Sequence, residues 1–250
     1  MSVVLVHGFP ETSRIWDPLR SLLAEESVAL AMPGFAVPRP AGFTATKDAY
    51  ADWLADELGK IEQPIDLVGH DVGALISLRV ATVGEVRLRS FAVDVAPIFH
   101  PDFVWTERVR GLQTPGVGEA LMRAMREAAP EDPESTAARL ASGGVPVGHA
   151  REMGEAHDET MSRSILDFYR SAAPNVAADW WNDVAGPTPS HGLILLLPDP
   201  PEQERMSLEV AQQLGAETAS LPDLNHCWMA EAPETVAPVL QRFWSSLGRT

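Results

Sequence analysis

One turn constrains this chain more than any other feature: the segment Gly69–Gly73, which has the pattern Gly-x-Asp-x-Gly. An apolar run, Ile65–Val68, precedes the turn, and a helical pattern, Val72–Val83, follows it directly. Glycines on either side let the strand and the helix approach closely, while the central residue is held in an unusual backbone conformation. The pattern predicts a nucleophile elbow at the end of a buried strand, with Asp71 as the presented side chain.

Buried-strand patterns alternate with amphipathic helical patterns along most of the chain. The strand patterns are continuous apolar runs, which are typical of a parallel sheet covered on both faces. The predicted strands are Val3–Val6, Ser27–Ala31, Ile65–Val68, Ser90–Val95, Gly192–Leu197 and, more weakly, Glu217–Leu221. The helices predicted around them are Thr12–Ala24, Lys47–Ile61, Val72–Val83, Gln203–Leu214 and Glu234–Leu247. The alternation predicts an α/β fold with a mostly parallel sheet of about six strands flanked by helices.

The region between about residues 100 and 189 interrupts this alternation. It has no strand pattern, and clusters of Pro and Gly separate its helical patterns, which are Gly118–Glu127, Glu134–Ser142 and Glu159–Ser171. Because these patterns carry apolar faces, the region is expected to be an ordered helical insertion and not a linker. We therefore expect residues 1–99 and 190–250 to form the core domain and residues 100–189 to form an inserted helical unit.

The charge balance excludes several classes of partner. The 250 residues include 19 Lys and Arg against 35 Asp and Glu, and the formal net charge of −16 repels nucleic acid and anionic membranes.

Cys227 is the only cysteine, which excludes an intrachain disulfide and a Cys-rich metal site. No apolar run approaches the ~20 residues of a transmembrane helix, and no basic stretch precedes the first strand pattern.

These observations lead us to expect a cytoplasmic chain with no signal peptide, no metal, no cofactor, and no nucleic-acid or membrane partner. One edge of the small sheet is expected to be exposed. Either a second copy of the chain, in a homodimer, or charged side chains would then protect that edge.

Two further motifs accompany the elbow. His7-Gly8-Phe9-Pro10 directly follows the first strand pattern. There the backbone N–H groups of Phe9 and Val72 can form an oxyanion hole beside Asp71. His226 lies between the last strand pattern and the last helix. In the chain, the elbow aspartate comes first and the histidine last, and this order of nucleophile, acid and histidine distinguishes one class of catalytic-triad fold from the others.

The sequence resembles the α/β-hydrolase superfamily, and within it the aspartate-nucleophile branch of epoxide hydrolases and dehalogenases. The resemblance covers nearly the whole chain and rests on His7-Gly8-Phe9-Pro10, Met32-Pro33-Gly34-Phe35, Gly69-His70-Asp71-Val72-Gly73 and Asn225-His226-Cys227-Trp228. It implies the α/β-hydrolase fold, with residues 100–189 as its helical cap. It also implies that Asp71 attacks a carbon atom to form an alkyl ester, which a water activated by His226 then hydrolyses.

The histidine of such a site needs a carboxylate partner that holds its tautomer. In relatives of this branch the acid follows either the strand after the elbow or the next strand. The first position is Asp94, which we favour as the partner of His226. The second position offers Asp199 and Glu202 as alternatives.

Opening an epoxide also needs a proton donor, and epoxide hydrolases of this branch commonly use two cap tyrosines. Tyr169 stands in a segment that resembles this cap motif, whereas Tyr50, the other tyrosine, is expected in the core or at the surface. The second donor has no tyrosine, and Trp105, His100 or His149 could take its place. The side chains expected to line the substrate pocket are His7, His70, Trp105 and Trp228.

The resemblance therefore predicts a hydrolase that converts a small, neutral, apolar epoxide and water to a diol. Hydrolytic dehalogenation by the same two steps is the main alternative, although Val72 stands where haloalkane dehalogenases usually carry Trp. An ester or lactone hydrolase and a non-catalytic ligand-binding protein are further alternatives.

Overall fold

Six parallel strands form one sheet at the centre of the molecule. The computed structural model describes residues 2–84, 86–175, 177–184 and 186–248. The strands are β1 (Ser2–Val6), β2 (Ser27–Leu30), β3 (Ile65–Gly69), β4 (Leu88–Val93), β5 (His191–Leu196) and β6 (Glu217–Ser220). Their order in the sheet is β2-β1-β3-β4-β5-β6, and each neighbouring pair is parallel. The predicted α/β fold is confirmed.

Twelve α-helices are described in these ranges. They are α1 (Asp17–Arg20), α2 (Lys47–Leu58), α3 (Val72–Val83), α4 (Glu107–Gln113), α5 (Val117–Glu127), α6 (Thr136–Ser142), α7 (Val147–Glu155), α8 (Glu159–Ser171), α9 (Ala177–Trp180), α10 (Pro201–Leu214), α11 (Trp228–Glu231) and α12 (Pro233–Ser246). Helices α4 to α9 lie between β4 and β5 and are called the inserted helices below. No helix in the described ranges has the length and apolar character needed to cross a lipid bilayer.

Alternate side chains of β1 show that both faces of the sheet are covered by helices. Val4 and Val6 belong to an apolar cluster that also holds residues of α2, α3 and α10. Val3 and Leu5 belong to a second cluster, on the opposite face, with residues of α1 and α12. Every residue of β3 and of β4 is buried. Burial on both faces is the physical reason why these strands read as continuous apolar runs.

Most predicted elements agree with the structure within a few residues. Helices α3 and α8 begin and end at the predicted residues. The predicted helix Thr12–Ala24 is shorter in the structure than expected. A single 3-10 turn occupies its first part and leads into α1, which ends at Arg20. The sequence patterns do not predict α4 or α7. Helix α7 follows Pro146 and contains two glycines, which weaken a helical signal.

The carboxyl ends of β1, β3 and β4 position the functional motifs. These three strands are neighbours in the sheet. The segment His7–Pro10 follows β1, Asp71 follows β3, and Asp94 follows β4. Loops at the carboxyl ends of adjacent parallel strands meet at one edge of the sheet, which is where open α/β folds bind ligands.

Candidate active site

Asp71 stands on a strained turn between β3 and α3. Its backbone has φ 52° and ψ −121°, in the positive-φ region that non-glycine residues seldom adopt, and α3 begins at the next residue. A Cβ atom on Gly73 would lie 2.3 Å from the carbonyl oxygen of Val6, so only glycine lets α3 approach β1 this closely. The turn presents the Asp71 side chain at the end of the sheet, where 14% of it is exposed.

The loop after β1 holds one oxygen of the Asp71 carboxylate. The backbone N–H of Phe9 donates a hydrogen bond of 3.0 Å to Asp71 Oδ1. Gly8 is required beside it, because a Cβ atom there would lie 2.4 Å from Asp71 Cβ. Val72 is the first residue of α3, so its N–H has no acceptor within the helix. Oδ1 is thus bound, and Oδ2 is the oxygen free to react.

His226 faces that second oxygen. Its Nε2 atom lies 3.7 Å from Asp71 Oδ2, and 43% of its side chain is exposed. The imidazole ring packs against the ring of His70, with 4.5 Å between centroids. A distance of 3.7 Å is too long for a hydrogen bond. The histidine nevertheless lies close to Oδ2, the oxygen through which Asp71 would carry an ester, and it lies on the side of Asp71 that is open to water.

Asp94, the expected partner of His226, is bonded to other groups. Its Oδ2 atom accepts hydrogen bonds from Nδ1 of His70 at 2.5 Å and from Nε1 of Trp228 at 2.7 Å. Its Oδ1 atom accepts the backbone N–H of Asp71 at 3.0 Å. The residue is fully buried, and within the described ranges it forms no hydrogen bond with His226. The reason is that His70, Trp228 and the N–H of Asp71 occupy both oxygens of Asp94, which therefore supports the elbow and not the exposed histidine.

A buried chain of charges runs beneath the nucleophile from Glu11 through His70 to Asp94. Glu11 Oε1 lies 3.0 Å from Nε2 of His70, and Oε2 accepts the N–H of Gly8 at 2.9 Å. A carboxylate faces each ring nitrogen of His70, so both nitrogens donate and the ring is an imidazolium. Burial disfavours this charge, but Asp94 and Glu11 raise the pKa of His70 well above 6.5. Burial opposes the charge of Glu11 too, yet His70 lowers its pKa from 4.5 to about 2.

The two alternative acids are more exposed than Asp94. Asp199 follows β5 and is half-buried. Burial raises the pKa of its carboxyl group, the charge of Asp94 adds to the rise, and His226 opposes it. Asp199 is therefore within electrostatic reach of His226. Glu202 is exposed in the first turn of α10.

The described ranges hold one set of side chains spaced like metal ligands. One ligand atom from each of Glu11, His70 and Cys227 lies within 4.8 Å of the others. Both His70 nitrogens carry protons, so neither offers a lone pair to a metal. Burial raises the pKa of Cys227 to about 11, which keeps the thiol protonated. The chemistry of this set fits a hydrogen-bonded core and not a metal site.

A cavity of about 150 Å³ opens between the inserted helices and the loop after β1. Phe9 lines it on the core side, and Arg108, Leu112, Met122, Met125 and Tyr169 line it from the inserted helices. The Tyr169 ring packs edge-on against Trp105, at 5.5 Å, and against Phe9, at 6.3 Å. Burial, followed by the charge of Asp71, raises the pKa of the Tyr169 phenol well above 10, so its hydroxyl keeps its proton. Within the described ranges that hydroxyl has no hydrogen-bond partner.

The remaining side chains expected in the pocket have structural contacts instead. Trp105 donates its Nε1–H to the carbonyl of Ala172 at 3.1 Å, so this N–H does not face the cavity. Trp228 is fully buried and bonded to Asp94. His7 is fully buried, and burial lowers its pKa to about 4. Its neutral ring donates to the carbonyl of Gly8 at 2.8 Å and accepts the N–H of Met32 at 3.2 Å.

Sequence comparison identifies the family of this chain. The profile described as Alpha/beta hydrolase family matches residues 3–239. The chain belongs to this family. No curated protein matches the chain in sequence. The family, together with an aspartate on the elbow and a histidine beside it, supports a hydrolase activity for this α/β hydrolase.

Several solved structures share the fold of this chain. A Pseudomonas aeruginosa protein provisionally named an epoxide hydrolase matches with a TM-score of 0.74 and 19% identity over 98% of this chain and 89% of its own. The epoxide hydrolase CorEH matches with a TM-score of 0.74 and 13% identity over 98% and 92%. A loop variant of the haloalkane dehalogenase DbeA-M1 from Bradyrhizobium elkanii matches with a TM-score of 0.69 and 17% identity over 99% and 91%. At these identities the likeness is one of fold alone.

The site of this α/β hydrolase can perform two kinds of chemistry at Asp71. The carboxylate, with one oxygen fixed by Phe9, can act as a nucleophile. His226 can accept a proton from a water molecule that attacks the product of that step. Sequence reasoning missed Glu11, which follows His7-Gly8-Phe9-Pro10 directly. Its only signal is this position, since burial of a carboxylate cannot be inferred from the local sequence.

Proposed function

We propose that this α/β hydrolase opens an epoxide to a diol through a covalent ester on Asp71. One observation carries the proposal: Asp71 Oδ1 is held by the N–H of Phe9 at 3.0 Å, while Oδ2 faces Nε2 of His226 at 3.7 Å. An aspartate positioned in this way has one oxygen for attack and one for an oxyanion hole. The inserted helices act as a cap in this proposal, since they supply most of the cavity wall.

In the first step, Oδ2 of Asp71 forms a bond with a ring carbon of the epoxide, and the bond from that carbon to the ring oxygen breaks. The electron pair stays on the ring oxygen, which takes the hydroxyl proton of Tyr169. The unpaired, protonated phenol beside the cavity supports this role. The products are a hydroxyalkyl ester on Asp71 and a Tyr169 phenolate.

In the second step, His226 removes a proton from water, and the resulting hydroxide attacks the ester carbonyl carbon of Asp71. Negative charge develops on Oδ1, where the N–H groups of Phe9 and Val72 stabilise it; one such donor contributes roughly 3–4 kcal/mol. The ester bond breaks, and the leaving alkoxide takes the proton from His226. The carboxylic acid formed on Asp71 returns its proton to Tyr169, which restores all three side chains and releases the diol.

Oxygen labelling during a single turnover tests this mechanism. Excess enzyme is mixed with an epoxide in water enriched in heavy oxygen. Water attacks the enzyme's own ester, so the label is expected in the Asp71 peptide while the first diol remains unlabelled. Label in the diol and none in Asp71 would mean that water attacks the epoxide directly, which would overturn the covalent route. The Asp71→Asn variant is the control and should form no diol.

Hydrolytic dehalogenation uses the same two steps, with a halide as the leaving group in place of the ring oxygen. The fold likeness to a haloalkane dehalogenase is the observation that keeps this candidate. Tyr169 favours the epoxide, because an opening epoxide needs a proton at its oxygen and a departing halide does not.

A further inference from the structure

One cation in the wall of the cavity has no counter-ion. Arg108, in α4, is partly buried, and its Nη2 atom lies 2.8 Å from the thioether sulfur of Met125. Within the described ranges it forms no ion pair with a carboxylate. Five other arginines of the inserted helices do form ion pairs with glutamates, namely Arg126, Arg139, Arg151, Arg163 and Arg170. Arg110 and Arg123 form no ion pair in the described ranges either, but both are exposed to water, whereas Arg108 is partly buried in the cavity wall.

The surroundings of Arg108 leave its positive charge uncompensated. Burial lowers the pKa of its guanidinium, and the charge of Arg139 lowers it further. The charge of Glu134 opposes this lowering, but Glu134 is bonded to Arg139 at 2.5 Å and is 65% exposed. A partly desolvated guanidinium without a carboxylate is costly to maintain unless a ligand supplies the missing anion.

Arg108 and Asp71 act on the same phenol. The charge of Asp71 raises the pKa of Tyr169, and the charge of Arg108 lowers it. Tyr169 and Arg108 both line the cavity, as does Phe9, whose N–H holds Asp71. A molecule that lies in the cavity with one end at Phe9, beside Asp71, can therefore contact Tyr169 and Arg108 as well.

The rest of the cavity sets the size of that molecule. Leu112, Met122 and Met125 give the rest of the wall an apolar surface. The volume of about 150 Å³ is that of a cavity that holds a benzene molecule. This corresponds to a ligand of roughly six to eight non-hydrogen atoms.

We propose that Arg108 binds a carboxylate on the substrate, which makes the preferred substrate a short epoxide with an anionic end. This inference rests on the proposed function. It replaces the neutral substrate expected from the sequence by an anionic one, whose negative charge would pair with Arg108, the cationic residue among those that line the cavity. The planar guanidinium can hold a carboxylate with two parallel hydrogen bonds, which an amide cannot form equally well. The acidic surface of the chain repels such substrates at long range, so the discrimination acts within the cavity.

Glycidate and glycidamide test this inference, because they have the same epoxide and the same number of non-hydrogen atoms but differ in charge. We expect the wild type to show a kcat/KM at least tenfold higher for glycidate than for glycidamide. Arg108→Met should bring this ratio close to one, and Arg108→Lys should restore part of it. Arg110→Met, in the same helix but exposed, is the matched control and should keep the wild-type ratio. An Arg108→Met ratio equal to that of the wild type would overturn the inference and leave Arg108 as a packing partner of Met125.

A binding measurement separates failure of the inference from failure of the proposed function. In the Asp71→Asn background, calorimetry should give a Kd at least tenfold lower for glycidate than for glycidamide, and Arg108→Met should remove the difference. Equal Kd values would overturn the inference even if the wild type hydrolyses both epoxides. Tighter binding of glycidate without turnover of either compound by the wild type would support Arg108 as the anion site and would count against epoxide hydrolysis.

Discussion

Replacing Glu11 with Gln tests the buried charge chain beneath the nucleophile. The side chain keeps its shape, and an amide oxygen can still accept the N–H of Gly8, but the negative charge opposite Nε2 of His70 is lost. In the wild type His70 lowers the pKa of Glu11 from 4.5 to about 2, despite burial. A difference of that size between folded and unfolded chains corresponds to about 3 kcal/mol of stability at neutral pH.

The pH dependence of this loss follows from the direction of the shift. The pKa of Glu11 is lower in the folded chain, so its contribution is fully present above pH 4.5 and disappears as the pH falls through about 2. Urea denaturation of wild type and Glu11→Gln should therefore differ by about 3 kcal/mol at pH 7. The difference should shrink steadily below pH 4.5.

A histidine paired with an exposed carboxylate provides the control for this experiment. Glu209 lies 2.9 Å from Nε2 of His100, and 43% of its side chain is exposed. Glu209→Gln also removes a carboxylate from a histidine, together with an exposed ion pair to Arg205. The free energy of unfolding should change by no more than about 1 kcal/mol, because water screens the exposed Glu209 carboxylate. A Glu11→Gln variant as stable as Glu209→Gln at pH 7, or a loss that does not change between pH 7 and pH 3, would refute the argument that Glu11 is ionised against a charged His70.

Three further substitutions test other parts of the account. Tyr169→Phe should lower kcat for an epoxide by about a hundredfold or more in stopped-flow turnover; an unchanged rate would remove the phenol from the mechanism. Trp105→Phe should cost about 1–2 kcal/mol in urea denaturation, because it leaves the carbonyl of Ala172 without its donor, while an effect on kcat alone would contradict this structural role. Lys47→Met removes contacts with Asp179 at 2.8 Å and with the ring of Trp180 at 4.4 Å. It should lower stability by about 1 kcal/mol, and the same loss in the exposed control Lys60→Met would show that these contacts contribute nothing.

Local patterns were sufficient to predict the sheet and the elbow. Burial of β3 and β4 on both faces produces apolar runs that can be read directly from the sequence. The glycines of the elbow mark a close approach of backbones, which no other residue type permits. The same reasoning failed for α4 and α7, because short helices with glycines carry little periodic signal.

The pairing of buried polar groups could not be predicted in the same way. Asp94 follows β4 where expected, but whether it turns to His226 or to His70 depends on which ring lies within hydrogen-bond distance. The pairing of Glu11 carries no local signal, since its partner is 59 residues away in the chain. The same limit applies to Trp105, whose N–H bonds to a carbonyl 67 residues away. Such contacts depend on the tertiary arrangement of several loops, whereas strands and helices depend on neighbours in sequence. The roles of Asp71, His226, Phe9 and Val72 remain predictions that the geometry supports.

The mass of the His226→Gln variant after mixing with an epoxide tests the central claim most directly. Without the histidine that activates water, the ester on Asp71 should persist, and the intact protein should gain the mass of the whole epoxide. The double variant that also carries Asp71→Asn should gain nothing. A gain equal to an alkyl halide minus hydrogen halide, with no gain from any epoxide, would identify dehalogenation instead. An unmodified His226→Gln protein, under conditions in which the wild type hydrolyses the same epoxide, would contradict the covalent mechanism.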